Sequence, residues 1–153
     1  MTDMIVGLSD LPVIPPLVEG YELTPAKAWD REVIVDWVRD HFGTLWSSEV
    51  ANGLGHHPCR VLIARRGTEI LGFACFDVTF PGFFGPTGVA ESARGLGLGK
   101  ALLLDALHRL RARGYVYAFI GDPGPIEFYQ RTVGAVALPE SLTSGYSTPL
   151  KGQ

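Results

Sequence analysis

Arg94-Gly95-Leu96-Gly97-Leu98-Gly99-Lys100 is the stretch on which the reading of the chain turns. Three glycines alternate with leucines between two cations. An apolar-periodic run from Ala101 to Arg113 follows at once, which predicts a helix. Glycine tolerates unusual φ/ψ values and lets a backbone come close to a ligand. The first turn of a helix carries N–H groups without partners and a partial positive charge. A bare loop feeding such a turn suits a phosphate or pyrophosphate. Arg94 and Lys100 either add point charges to it or stand as solvated cations. Two other phosphate motifs are excluded. A P-loop needs Gly where Arg94 stands and Ser or Thr where Ala101 stands. A G-x-G-x-x-G fingerprint fails in both registers, because Lys100 and Leu102 fill its last position.

Composition narrows the classes further. A chain of 153 residues suits one domain with a real core. Apolar residues make up 46%, which argues against disorder. Thirteen cations against sixteen acids leave a net charge of −3, so no nucleic-acid or membrane partner is expected. No apolar run approaches the ~20 residues of a membrane span. The acidic start Met1-Thr2-Asp3 is unlike a secretory signal. A cytoplasmic location is the resulting expectation. Cys59 and Cys75 fall in separate predicted strands and read as reduced thiols. The four histidines are scattered, without metal-ligand spacing, so no metal is expected.

Taken in order, residues 1–20 are apolar but broken by Pro12, Pro15 and Pro16. They read as an extended arm in which Met4 to Leu8 can form a strand. Tyr21 to Leu23 reads as a strand. Ile34, Trp37, Val38 and His41 share one helical face, with Asp30 as N-cap and Gly43 as stop. Thr44 caps a second helix from Leu45 to about Asn52, ended by Gly53. The pair His56 and His57 falls in the next loop. Cys59 to Arg65 and Glu69 to about Thr79 form a hairpin around Arg66-Gly67-Thr68. Phe83 to Val89 is the strand that feeds the glycine loop. Pro86 inside it marks a place where the sheet is open or bulged. Tyr115 to Ile120 reads as a central strand, Ile126 to about Thr132 as a short helix, and Ala135 to Leu138 as a last strand. The fold class is α+β with a mixed sheet, in one domain over 1–153.

The pattern Arg-Gly-x-Gly-x-Gly between a strand and a helix resembles the acyl-CoA pyrophosphate loop of the GNAT superfamily of N-acetyltransferases. Val89-Ala90-Glu91-Ser92-Ala93 resembles the strand end before that loop, with Glu91 in place of a frequent proline. Ile126 to Ala135, containing Phe128-Tyr129 and Gly134, resembles the family's second signature, with Ala135 in place of an aromatic. Asp122 falls near a position where the family often has Asn. The resemblance covers roughly residues 21–138. It implies a mostly antiparallel, twisted mixed sheet that splays at the acyl-CoA site and carries flanking helices.

The resemblance also implies roles. Val89, Arg94, Gly95, Leu96, Gly97, Leu98, Gly99 and Lys100 hold acetyl-CoA, the co-substrate. The Val89 backbone supplies the oxyanion donor. Tyr129 protonates the leaving thiolate; the alternative is a core tyrosine whose hydroxyl is satisfied elsewhere. The implied reaction is direct acetyl transfer to a primary amine of a small molecule through a tetrahedral intermediate. The attacking amine must lose a proton, since a lysine-like amine has a pKa near ~10.4. No carboxylate stands on the strand from Phe83 to Val89, so Glu49, Asp77 and Asp122 are the candidate bases. Trp46, Glu49, Asp77 and Phe84 are candidate acceptor residues. Trp46, Phe80, Phe83, Phe84 and Tyr146 are expected around the acceptor cleft. Two other readings stay open: a non-catalytic acyl-CoA-binding regulator, and an acetyltransferase of protein amino groups.

The family usually closes the acceptor side with a hairpin of its last two strands. After Leu138 this chain meets Pro139 and then mostly polar residues, so little length remains for that hairpin. The N-terminal arm, rich in Ile, Val and Leu, is expected to complete that side. It can do so within the chain or by exchange in a homodimer, and exchange is the preferred reading.

Overall fold

Short apolar runs punctuated by Gly and Pro become seven strands of one sheet in the computed structural model, which describes residues 2–142 and 144–152. The strands are β1 (Met4–Gly7), β2 (Tyr21–Pro25), β3 (Val61–Arg66), β4 (Glu69–Phe76), β5 (Phe83–Val89), β6 (Tyr117–Ile120) and β7 (Val136–Ala137). Their spatial order is β2-β3-β4-β5-β6-β1-β7. Every neighbouring pair is antiparallel except β5 and β6, which run parallel. The helices are α1 (Arg31–Phe42), α2 (Thr44–Leu54), α3 (Leu98–Ala112) and α4 (Ile126–Val133).

Two apolar layers sandwich the sheet. On one face α3 buries Leu103, Ala106, Leu107 and Leu110, the stripe that periodicity predicts, against Ala74, Phe76, Ala118 and Ile120. On the other face Ile34 and Val38 of α1 and Val50 of α2 pack on Val61, Ile63, Phe73 and Cys75. Strand alternation sends Phe73 and Cys75 to one layer and Ala74 and Phe76 to the other.

The N-terminal arm enters its own chain's sheet. Met4 faces Ile120 and Val6 faces Ala118 across β6, while Met4 and Ile5 face Ala137 and Val136 of β7 on the other side. Met4, Val6 and Leu8 are fully buried. The first strand of the chain thus fills the place between β6 and the last strand.

Several element ends differ from the sequence expectation, each for a tertiary reason. Gly53 does not end α2, which continues to Leu54. A Cβ at Gly53 would lie 2.8 Å from Val61 Cγ2, so the glycine allows helix and strand to touch. Gly43, not Thr44, precedes α2, and Asp30 makes no side-chain cap because a 3-10 turn over Ala28–Asp30 leads into α1. Strand β4 stops at Phe76 rather than Thr79, because Asp77 takes φ +60° and turns the chain.

Asp77 is a buried hub at that turn. Its Oδ1 accepts from the Gly82 N–H at 2.7 Å and from the Tyr115 hydroxyl at 2.7 Å. Its Oδ2 accepts from Arg113 Nε at 2.9 Å, and its carbonyl accepts from Arg60 Nη1 at 2.8 Å. Burial alone would raise the carboxyl pKa, but the bonds from Gly82, Tyr115 and Arg113 outweigh it and hold the group below its ordinary range. Such a group stabilises the fold fully above its unfolded pKa of about 3.9, and the contribution disappears as pH falls through the lower folded value. Asp77→Asn should therefore cost about 1–3 kcal/mol at neutral pH. Urea melts repeated below about pH 4 should show the gap to wild type closing. Met4→Ala, at the centre of the β6-β1-β7 ladder, should cost about 2–5 kcal/mol in the same melts. A cost within error would mean that the arm does not hold the sheet together.

Candidate active site

Strand β5 sets the geometry of the site. It pairs with β4 at Gly72↔Val89, Phe73↔Gly88 and Ala74↔Thr87, and again at Phe76↔Phe84. One residue of β4, Cys75, therefore stands against two of β5, Gly85 and Pro86, which is a β-bulge. On its other edge β5 meets β6 only at Phe83↔Phe119 and Phe84↔Ile120. Beyond the bulge the two parallel strands part, and among the described residues the edge from Gly85 to Val89 has no strand beside it. Ala90 N–H donates to Leu71 O at 2.8 Å, so alternation turns the Val89 N–H away from β4 and into the gap.

The glycine loop closes the end of this gap. Gly95 and Gly97 take φ +84° and +77°, conformations costly for other residues, and Gly97 is the N-cap of α3. A Cβ at either position would meet nothing within 4 Å, so the loop backbone faces open space. Leu98 is buried and Leu96 packs on the core, so the leucines anchor the loop while its amides stay outward. The N–H groups of the first turn of α3 have no partner within the helix. An open groove of about 440 Å³ lies there, with Val89, Arg94, Gly95 and Lys100 on one bank and Pro125 and Phe128 of the α4 start on the other. Arg94 and Lys100 are exposed and form no ion pair among the described residues. The loop has the bare amides, the cations and the room that a pyrophosphate needs.

Tyr129 projects from α4 into the core beside the gap, 6% exposed. Phe128 and Phe84 meet it edge-on at 5.1 and 6.4 Å between centroids. Among the described residues its hydroxyl has no hydrogen-bond partner, yet it is not sealed. The side-chain polar atom that is both sealed and unpartnered is Arg60 Nε. Burial raises the phenol pKa, so the group keeps its proton at neutral pH.

The candidate acceptor residues are not gathered in one place. Phe84 is 3% exposed and lies on the α3 face with Tyr129, away from the face that α1 and α2 cover. Asp77 is held by Arg113 at the far end of α3, about 22 Å of helix from the glycine loop. Trp46 is half-buried, packed at 5.3 Å on Phe42 and at 6.1 Å on Phe73. Glu49 accepts a hydrogen bond from the Thr79 hydroxyl on the same face. Phe83 rather than Phe84 points to that face, where it meets Phe80, Phe119 and Tyr146. Phe42 is a residue the sequence did not single out. Its ring lies on the β5 backbone, since a Cβ at Gly88 would fall 2.5 Å from Phe42 Cζ. Alternation between buried Ala118 and Ile120 is the signal that places Phe119 on the same face.

Solved structures share this architecture. A GCN5-related N-acetyltransferase from Sphaerobacter thermophilus superposes with TM-score 0.72 at 20% identity, covering 90% of this chain and 48% of that one. A GCN5-related glucosamine N-acetyltransferase region of a fungal multi-domain GH3 beta-N-acetylglucosaminidase gives 0.73 at 18% identity, covering 90% and 19%. A GCN5-related N-acetyltransferase from Kribbella flavida gives 0.60 at 21% identity, covering 89% and 53%. The chain thus spans about half or less of the length of these proteins, and identities this low speak for the fold. No curated protein matches the chain. Residues 24–135, from β2 through α4 and so including the bulged strand, the glycine loop and Tyr129, match the model of the Acetyltransferase (GNAT) family, and the chain belongs to that family.

Proposed function

We propose that the protein moves an acetyl group from acetyl-CoA to a primary amine of a small molecule. The carrying observation is the groove itself: bare loop amides and Val89 of the freed β5 edge on one side, and on the other Phe128, against which packs Tyr129 with a hydroxyl unpartnered among the described residues. The amine nitrogen attacks the thioester carbonyl carbon and forms the C–N bond. The Val89 N–H donates to the oxyanion that develops. As the C–S bond breaks, the sulfur takes its electron pair and receives the Tyr129 proton. The proton lost by the amine leaves on the acceptor side, where Glu49 stands. No acyl-enzyme is needed: Cys75 is fully buried, and burial and the Glu49 charge raise its pKa and disfavour the nucleophilic thiolate. A non-catalytic acyl-CoA-binding regulator is the second reading. It is favoured by the absence of any carboxylate on β5 between Phe83 and Val89. Release of free thiol from acetyl-CoA in the presence of an amine panel separates the two.

The loop is best tested at Gly99. Gly97 sits at φ +77°, so any side chain there strains the backbone whatever the ligand does. Gly99 is helical, and an added Cβ would meet only Val89 Cγ2 at 3.8 Å. Gly99→Val should weaken CoA binding about tenfold or more in calorimetry, with little change in melting temperature. Unchanged affinity in the folded variant would place the pyrophosphate elsewhere.

Tyr129→Phe should lower kcat by a factor of about 10²–10⁴. The KM for acetyl-CoA should change much less, because the thiolate exists only as the bond breaks. Wild-type kcat in the variant would make Tyr129 a packing residue.

A further inference from the structure

The sheet face opposite α3 is roofed unevenly. Helices α1 and α2 cover it as far as β5, whereas Leu138, Pro139, Leu142, Ser144 and Gly145 face Phe83 of β5, Phe119 of β6 and Asp3 before β1. Between those tail residues and the sheet lies a cavity of about 340 Å³, large enough for a small organic molecule. Its floor is Phe83 and Phe119, stacked at 5.4 Å with an interplanar angle of 28°. Phe80 and Tyr146 stand edge-on beside them, at 5.2 and 6.4 Å from Phe83 and 5.6 Å from each other. Such a set of rings is a wall for a flat apolar body.

Tyr146 fixes where this wall meets the reaction gap. Its hydroxyl end lies on Gly121, so close that a Cβ at Gly121 would collide with it. Gly121 directly follows Ile120, the last residue that β6 pairs with β5. The ring therefore stands at the point where the two strands part, on the face opposite Tyr129. Tyr146 is 41% exposed and directly follows Gly145, which lines the cavity.

The surroundings are acidic. Asp3 lines the cavity and accepts from the Asp122 N–H at 3.2 Å, which brings two carboxylates to the Gly121 end. Glu49, bonded to Thr79, approaches from α2. None of the three forms an ion pair among the described residues. Burial, then the charges of Glu49, Asp3 and Asp122, push the Tyr146 hydroxyl to about 12, so three negative fields meet at one ring. An ammonium group gains there from charge and from the ring faces together. An acceptor bearing phosphate or carboxylate is repelled at the same point.

Resting on the acetyl-transfer reading above, we propose that the acceptor is a primary amine carried on an aromatic or similarly flat apolar body, and that Tyr146 is the residue that selects it. The body lies on Phe83 and Phe119 under the tail. The nitrogen points past Tyr146 and Gly121 into the gap between β5 and β6. Pro139, Leu142 and residues 144–146 are thus part of the acceptor site.

The test compares three probes on the full chain by calorimetry: 2-phenylethylamine, n-butylamine and 2-phenylethanol. The aromatic amine should bind at least about tenfold more tightly than either the amine without a ring or the ring without an amine. Tyr146→Ala should abolish that preference. Gly121→Ala should abolish it too, because the new methyl expels the tyrosine from its seat while leaving it in the chain. CoA affinity and melting temperature should stay near wild type in both. Equal binding of the three probes, or a preference that survives both substitutions, overturns the assignment. The underlying reading fails differently. If 2-phenylethylamine binds with the expected preference yet releases no thiol from acetyl-CoA, the amine site stands and the transfer reaction falls. If thiol is released equally well with n-butylamine, transfer stands and the proposed selectivity falls.

Discussion

The parting of β5 from β6 is the constraint on which the rest of the molecule depends. Two parallel strands that begin paired at Phe83 and Phe84 are forced apart because β5 bulges at Gly85 and Pro86 against a single residue of β4. A bulge bends and twists its strand. Proline at 86 has no N–H to offer, so a ladder toward β6 would lack a donor at that residue. The result is a strand with one edge held by β4 and the other bare. That bare edge in the centre of a sheet is costly in an ordinary fold and useful where an extended ligand chain can lie beside it. The glycine loop at one end of the gap and Tyr129 beside it are placed by the same strand. β5 leads through the short turn over Glu91–Ala93 directly into the loop and α3.

Holding a split sheet together requires packing on both faces and closure at both sides. The α3 face provides the larger apolar layer, with Leu102, Leu103, Leu107 and Leu110 buried completely or nearly so. Beyond the split, β6 would be an edge but for β1, whose Met4 and Val6 sit in that same layer. Strand β7 is only two residues long and could not do this alone. The first strand of the chain fills that position, between β6 and β7. Leu138, Pro139, Leu142, Ser144 and Gly145 line a cavity over the other face. Asp77 performs a comparable task at the far end of α3. It ties the turn between β4 and β5 to the helix terminus through Arg113 and Tyr115, so that the strand and the helix flanking the glycine loop are also joined at their opposite ends.

The two sides of β5 differ in character, and the difference follows from alternation. Phe84 and Val89 look toward α3 and α4, where the groove and Tyr129 lie. Phe83 and Gly88 look toward α1, α2 and the tail, where Phe42, Trp46, Glu49 and Tyr146 gather. The two faces of β5 therefore connect where the gap beside β6 is open.

The sequence alone carried the elements that depend on local chemistry. The alternation of glycine and leucine before an apolar stripe marked the loop and α3, because positive φ values and helical periodicity are local properties. The apolar run from Tyr115 to Ile120 and the Pro86 interruption marked a central strand and an open place in the sheet for the same reason. What the tertiary structure decided were properties of neighbours far apart in the chain. Periodicity alone shows that Phe83 and Phe84 face opposite ways, but only the packing layers show that Phe84 joins the α3 side and Phe83 the side of Phe119 and Tyr146. Asp77 read as a candidate base and acceptor residue near the end of a strand, and only the approach of Arg113 and Tyr115, nearly forty residues on, makes it a buried hub instead. Gly53 resembled a helix stop until Val61 came within contact of it. The place of the N-terminal strand was settled by register with β6, more than a hundred residues away, and pairing at that separation leaves no mark on either segment read by itself.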